Sequence, residues 1–313
     1  MTPPFNVIFM GTPDFAVPSL TALHAFGCRV DLVVTQPDRP KGRGRQLSPP
    51  PVKTAAEALG YEVIQPEKIN TDAFYEAILR RAPDLLVVVA FGHILPKRIL
   101  EIPRLGPINL HASILPRYRG PAPIQWAIIN GENETGITSM LMDKGLDTGE
   151  MLTVERTPIH PEDTAGSLHD RLALLSADVL VKTLKGFQAG DIRPIPQNHG
   201  DATYAPLLKK SDGQINWHHD AIRIERFIRG MTPWPGAFTF LENKRLKIYQ
   251  TQPVALNQNA APGTVIRSFP DELRVATGKD ALTILEIQGA SGKRMEIGEF
   301  LKGNPMEPGT VLS

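Results

Sequence analysis

Apolar positions along this chain follow two regimes. In the first part they come as short unbroken runs separated by helical periods. Asn6–Met10 (NVIFM) is such a run, and a continuous apolar stretch bounded by turn residues predicts a strand buried on both faces. Gly11 follows it, and Thr12-Pro13-Asp14 then opens a helical period through Val17, Leu20, Leu23 and Phe26 that Gly27 ends. Arg29–Thr35 (RVDLVVT) reads as the next strand, and strand–helix–strand in that order begins a doubly wound sheet. The same reasoning predicts helices over 55–59, 72–81, 123–130 and 164–186, and a helical turn over 98–102. It predicts strands over 62–65, 84–90, 106–113 and 135–142, with Asp84–Ala90 (DLLVVVA) the strongest buried-strand signal.

Two stretches break the pattern. Residues 36–53 (QPDRPKGRGRQLSPPPVK) have no apolar period and read as a long loop, a kind usually kept for function. From 190 to 207 Pro194, Pro196, Gly190 and Gly200 punctuate a polar, extended segment that reads as a linker. Beyond it, after a helix over 221–229, five short alternating runs at 237–241, 245–250, 263–266, 273–276 and 282–288 predict a small β-barrel. The expected organisation is therefore an α/β domain over 1–189, a linker over 190–207 and a β-rich domain over 208–313.

Composition narrows the function classes. With 313 residues the chain is long enough for two cored domains, and 42% hydrophobic with 21% charged residues is a globular balance. A net charge of +1 rules out a polycation, so contact with nucleic acid must come from local patches. The 29 prolines, against a usual ~5% of residues, imply many fixed turns. The single cysteine, Cys28, can form neither an internal disulfide nor a cysteine-based zinc site, and reads as a buried inert thiol. The opening residues read as a strand rather than a signal peptide, and no run reaches the ~18 apolar residues of a membrane span. A cytoplasmic setting without membrane contact is expected.

Candidate chemistry concentrates after the strand over 106–113. Asn109 and His111 stand two residues apart, so their side chains share one face at the carboxyl end of a strand, where open α/β sheets bind ligands. Further on, Met142–Glu150 (MDKGLDTGE) is a Gly-rich loop carrying Asp143 and Asp147. Its spacing is not the Asp-x-Asp-x-Asp-Gly of a calcium-binding EF-hand loop, because Gly145 stands where an acid is needed and Thr148 where the glycine is needed. Gly11-Thr12-Pro13-Asp14 lacks the G-x-G-x-x-G of dinucleotide binding, so Gly11 reads at least as well as a tight turn.

Asn109-x-His111-x-Ser113-Ile114-Leu115-Pro116, followed by Asp147-Thr148-Gly149, resembles the folate-dependent formyltransferases. Gly11-Thr12-Pro13-Asp14-Phe15 and Gln36-Pro37-Asp38-Arg39 narrow the resemblance to members that act on charged initiator tRNA. Phe91-Gly92, Ile94-Leu95-Pro96 and Pro233-Trp234-Pro235 extend it over essentially the whole chain. Ile114 stands where the family usually has Leu, a change that conserves bulk. The resemblance implies a Rossmann-like N-terminal formyltransferase domain joined to a C-terminal OB-like β-barrel domain that binds tRNA. It implies Asn109, His111 and Asp147 as the catalytic group, folate contact over Ser113, Ile114, Leu115 and Pro116, and a monomer. It further implies 10-formyltetrahydrofolate as co-substrate, no metal, and methionyl initiator tRNA as the acceptor, in support of translation initiation. The loop cations Arg39, Lys41, Arg43 and Arg45, which composition alone reads as solvated surface, become tRNA contacts. Lys209, Lys210, Arg223, Arg226, Arg229, Lys244, Arg245 and Lys247 add charge to the second domain, whereas Trp217 and Trp234 read as packing.

These residue types suit acyl transfer to an amine. A free α-amine has a pKa of about 7.7–8.0 and is substantially nucleophilic at neutral pH. What remains is to stabilise a developing oxyanion, which Asn109 can do with an N–H and His111 with a ring N–H, and to relay a proton, for which Asp147 is placed. A formyltransferase for a small amine such as an amino sugar nucleotide would share this group. A noncatalytic RNA-binding protein would need only the basic loop and barrel, and a formyl-folate hydrolase would replace the amine by water.

Overall fold

The fold was determined from a computed structural model that describes residues 4–41, 46–256, 260–269, 271–290 and 292–313. Chain contacts divide it into two compact units. One comprises Met1–Pro123, Thr135–Thr157 and His169–Ala205, and the other Ile124–Glu134, Pro158–Leu168 and Pro206–Ser313.

The first unit opens with β1 (Asn6–Gly11), α1 (Val17–Ala25) and β2 (Arg29–Val34). The stretch expected as a bare loop carries β3 (Arg39–Lys41) and β4 (Gln46–Ser48), which pair antiparallel as a hairpin. Arms of three residues, one of them Pro40, are too short to show an alternating pattern in sequence. Next come α2 (Pro51–Ala58), β5 (Val63–Ile64), α3 (Asp72–Leu79), β6 (Leu85–Val89), α4 (Lys97–Leu100) and β7 (Gly106–His111). Pro51 at the start of α2 sits where its missing N–H costs nothing, and the Thr71 hydroxyl caps α3 by accepting the Phe74 N–H at 3.2 Å. After α5 (Pro123–Ile129), whose residues from Ile124 onward belong to the second unit, a strand on the alternating stretch, β8 (Glu134–Leu141), precedes β9 (Met151–Pro158) and α6 (Ala165–Ala189).

The strands form a seven-stranded sheet in the order β5-β2-β1-β6-β7-β8-β9. Pairing is parallel from β5 through β7, and β8 runs antiparallel to β7. The chain moves outward from β1 to β2 and β5, then returns to the other side of β1 with β6 and β7. This reversal is the topological switch point, where the carboxyl ends of β1, β6 and β7 gather. Period-two placement builds the core on one face: Ile8, Met10, Leu32, Val34, Leu86 and Val88 pack with Phe74 and Ile78 of α3 and Ile99 of α4. A β-carbon on Gly11 would lie 2.8 Å from that of Ala16 and 3.0 Å from the Val89 carbonyl, so a bare backbone is required at the exit of β1.

The second unit holds α7 (Ala221–Met231), capped by Asp220 at 2.8 Å from the Arg223 amide, and six strands. These are β10 (Ala237–Leu241), β11 (Lys244–Val254), β12 (Val265–Phe269), β13 (Glu272–Ala276), β14 (Ala281–Gln288) and β15 (Met295–Glu296), followed by α8 (Ile297–Gly303). The antiparallel path runs β10-β11-β14-β13-β12. Its two ends are joined by the segment over 309–313. The Val265 amide donates to Thr310 O (2.7 Å) and Leu312 N–H to Gly263 O (2.8 Å), while Phe240 and Ser313 exchange backbone bonds of 2.7 and 3.0 Å. The ring is thus closed into a barrel by an extended segment with no sequence signal. Trp217 is buried in this unit and donates to the Thr239 hydroxyl, whereas Trp234, expected as packing, is 47% exposed.

Candidate functional site

At the switch point three loops are tied to one atom. The Phe91 carbonyl after β6 accepts from the Thr12 hydroxyl after β1 (3.1 Å) and from the Gln36 amide after β2 (3.1 Å). Next to them β7 delivers Asn109 and His111 to the same face, with Asn109 in register with Val88 on one side and Met140 on the other. Asn109 is half-buried, and its side-chain amide has no hydrogen-bond partner among the described residues. His111 is buried. Its Nε2 lies 2.9 Å from the Tyr118 carbonyl, which can only accept, so Nε2 carries the proton.

The loop over 142–150 brings Asp147 to the other ring nitrogen, with Asp147 Oδ2 3.6 Å from His111 Nδ1. That distance is too long for a hydrogen bond, and the contact becomes an ion pair only when the ring carries a second proton. Oδ2 is held by the Gly120 N–H at 2.8 Å. Asp143, the other acid of the loop, instead shapes it: its Oδ1 accepts the Gly145 amide (2.8 Å) and the Thr148 hydroxyl (2.7 Å). A β-carbon on Gly149 would run into the Leu141 carbonyl, so the loop lies tight on β8. Three non-glycine residues around the site take positive φ: Ala90 (+46°), Tyr118 (+60°) and Asp147 (+54°). Such conformations persist where the surroundings over-determine them, and they gather at functional sites.

The segment after His111 is held from within. Ser113 is buried and its hydroxyl donates to the Arg117 carbonyl at 2.6 Å. Thr138 Oγ1 donates to Ser113 O (2.7 Å) and accepts from Leu115 N (3.2 Å). Leu115 is buried, while Ile114 and Pro116 keep partial exposure beside the site. Of the loop cations, Arg39 is exposed, with Nη2 3.0 Å from the Gln36 side-chain oxygen. Arg43 and Arg45 lie outside the described residues, as does the Lys41 side chain. The base of the hairpin is pinned by Asp38, which accepts from Gln65 Nε2 (2.7 Å) and from Lys53 Nζ with both oxygens (3.0 Å each). The Gln65 hydrogen bond, followed by that of Lys53, holds its carboxyl below the ordinary aspartate range. In the second unit Arg229 pairs with Glu225 and donates to the Asp163 carbonyl at 2.8 Å, so it is committed internally. Among the described residues no group of three His, Cys, Asp or Glu side chains is placed to hold a metal ion, and no helix is long and apolar enough to cross a membrane.

Sequence reasoning passed over two buried polar residues here. Arg119 is 2% exposed and Gln197, within the expected linker, is 6% exposed. They meet each other 78 positions apart, a separation for which no local pattern exists.

Residues 5–184 match the family of formyl transferases and residues 207–305 match the formyl transferase C-terminal domain. The chain is 50% identical over 307 residues to the methionyl-tRNA formyltransferase of Citrifermentans bemidjiense, covering 98% of this chain and 96% of that protein. It is 51% identical, also over 307 residues, to that of Desulfotalea psychrophila, covering 98% and 95% respectively. Among solved structures, HypX from Aquifex aeolicus in complex with tetrahydrofolic acid superposes with a TM-score of 0.62 at 18% identity, over 99% of this chain and 50% of that one. At that identity the likeness speaks for the fold alone.

Proposed function

The chain belongs to the formyl transferase family, among its methionyl-tRNA formyltransferases, and from that premise we propose that Asn109, His111 and Asp147 are the group that carries its reaction. The activity is transfer of a formyl group to the α-amine of methionyl initiator tRNA. The formyl donor in this reading is 10-formyltetrahydrofolate, which supplies a one-carbon unit already bound to a nitrogen that can leave. The observation that carries the reading is a half-buried side-chain amide, Asn109, with no partner among the described residues and sharing a strand face with His111 at the switch point. Asn109 donates an N–H to the formyl oxygen as the amine adds and negative charge collects there, a donor worth about 2.7–4 kcal/mol to the transition state. His111, its Nε2–H spent on Tyr118, presents Nδ1 together with Asp147 Oδ2. That pair takes up the proton lost by the attacking nitrogen and returns it to the departing one. No covalent intermediate on the protein is needed, because the amine is itself the nucleophile.

The donor lies against the segment Ser113–Pro116. Internal hydrogen bonds to Ser113 and Leu115 stiffen that segment, and Ile114 and Pro116 offer it apolar surface. The tRNA contacts are assigned to Arg39, Lys41, Arg43 and Arg45 on the hairpin and to the barrel domain, in a monomer working in the cytoplasm. The domain roles follow: catalysis over 1–189, a connection over 190–207 and tRNA binding over 208–313. The test is incubation with 10-formyltetrahydrofolate and, separately, methionyl initiator tRNA, an amino sugar nucleotide, glycinamide ribonucleotide or no acceptor. Formylation confined to the charged tRNA is expected. Transfer to a small amine, or formate release without an acceptor, overturns the assignment of substrate.

A further inference from the structure

We propose that Arg119 and Gln197 are positioning residues that hold the Asp147 loop at the reach of His111. The proposal rests on the assignment of Asn109, His111 and Asp147 as the catalytic group. The tripeptide Tyr118–Gly120 touches both halves of that group: the Tyr118 carbonyl fixes His111 Nε2 at 2.9 Å, and the Gly120 N–H fixes Asp147 Oδ2 at 2.8 Å. Between them, the Arg119 side chain donates from Nε (3.1 Å) and Nη2 (2.7 Å) to Gln197 Oε1. Gln197 passes the connection on, its Nε2 donating to the Asp147 carbonyl at 2.9 Å and the Gly149 carbonyl at 2.7 Å. Asp147 is therefore gripped twice, at its carboxylate by Gly120 and at its backbone by Gln197. Its φ of +54° is one that a side chain disfavours and that an unbraced loop would relax.

Three further observations favour a functional brace over plain packing. Arg119 is 2% exposed, yet its guanidinium donates to the Gln197 amide oxygen and to His199 Nδ1 (3.1 Å), with no carboxylate paired to it among the described residues. A buried cation without a counter-ion is a poor device for stability, and a neutral residue would serve that end better. The Arg119 backbone is locked as well, by Thr203 O at 2.9 Å and by the Ala205 N–H at 2.8 Å, so the guanidinium has a fixed origin. Finally, the loop borders a hollow of about 370 Å³ lined in part by Met142, Thr148 and His199, so packing on that side is incomplete. Hydrogen bonds must do the positioning there.

Gln197→Glu separates the two roles. It keeps an oxygen for Arg119 and nearly the same volume, but sets a carboxylate oxygen in place of the N–H₂ against two carbonyls. The expected result is a fall in kcat on the order of 10- to 100-fold, the loss typical of a small misplacement of a reacting group. KM for both substrates should change by less than about threefold, since substrate-binding groups are untouched. In an Asp147→Asn background the same change should cost little more, because it acts through Asp147. Unchanged kcat per folded molecule, or losses that multiply in the double variant, would overturn the brace. If Gln197→Glu fails to fold, Gln197→Met, uncharged and of similar length, is read by the same two criteria. Asp147→Asn alone keeps the premises apart. Wild-type turnover in it removes the catalytic assignment and the brace together, whereas an impaired Asp147→Asn beside an unimpaired Gln197→Glu removes the brace only.

Discussion

Replacing Asn109 by alanine tests the catalytic assignment with unusual economy, because the structure separates its cost to folding from its cost to chemistry. The side-chain amide is half-buried and has no hydrogen-bond partner among the described residues. Removing it leaves no buried donor or acceptor stranded, so the penalty of about 1–3 kcal/mol for an unsatisfied group does not arise. The backbone of Asn109 stays in register with Val88 and Met140, and the β-carbon is retained. Stability should therefore shift by no more than ~0.5 kcal/mol, the usual range for a change away from packed or bonded groups. In the transition state the same amide is the oxyanion donor. Losing about 2.7–4 kcal/mol there, at 1.36 kcal/mol per decade, lowers turnover by on the order of 10²–10³. The assay is single-turnover formylation of methionyl initiator tRNA at saturating 10-formyltetrahydrofolate, beside a thermal melt of the same preparation. Turnover within threefold of wild type refutes the role. A melting temperature that falls in step with activity refutes the separation on which the reasoning depends.

Burial pushes the Cys28 thiol up to about 12, so Ellman's reagent at pH 8 should react slowly with folded protein and at once after unfolding. The unfolded thiol ionises from about 9, so between about 9 and about 12 the unfolded chain binds fewer protons and stability falls as pH rises, a slope that Cys28→Ala should reduce. Asp38 is depressed in the folded state, chiefly by Gln65 and then Lys53, so its contribution is present above the unfolded aspartate range and lost as pH falls through the folded value. The difference in melting temperature between wild type and Asp38→Asn should accordingly shrink as pH is lowered from 7 to about 3. Arg43→Ala should raise KM for tRNA, leave folate binding intact and reduce the salt slope of tRNA affinity by about 1, and an unchanged slope would remove the phosphate contact.

Much of the site was legible because it sits on the most regular part of the chain. β6 is buried at every position and β7 carries Asn109 and His111 two apart, so strand, face and carboxyl end all follow from pattern. What escaped is what lacks a period. β9 is half-buried or exposed along its whole length and holds few apolar residues, so it leaves no alternation to read. The hairpin over 39–48 has three-residue arms. Gln197 lies in a Pro-rich polar segment, and its side chain is hydrogen-bonded to distant partners, Arg119 and the Asp147 loop. Arginine and glutamine in such a setting look like surface, and only the long-range hydrogen bonds make them interior. That Asp147 reaches His111 was implied by family resemblance, since neither periodicity nor spacing connects a loop to a strand 36 positions earlier.

The segment that closes the barrel has a consequence for how the protein is made. Phe240 and Val265 offer their backbone groups to residues 309–313, and the Thr239 hydroxyl waits for a carbonyl 74 positions downstream. As the chain leaves the ribosome, β10 and β12 thus emerge as two bare sheet edges and stay bare until those residues arrive. Unpaired edges are templates for joining other chains, and such late, long-range pairing is the slow kind. A nascent chain stalled short of residue 309 should be a client for chaperones, while one carried through to Ser313 can seal itself.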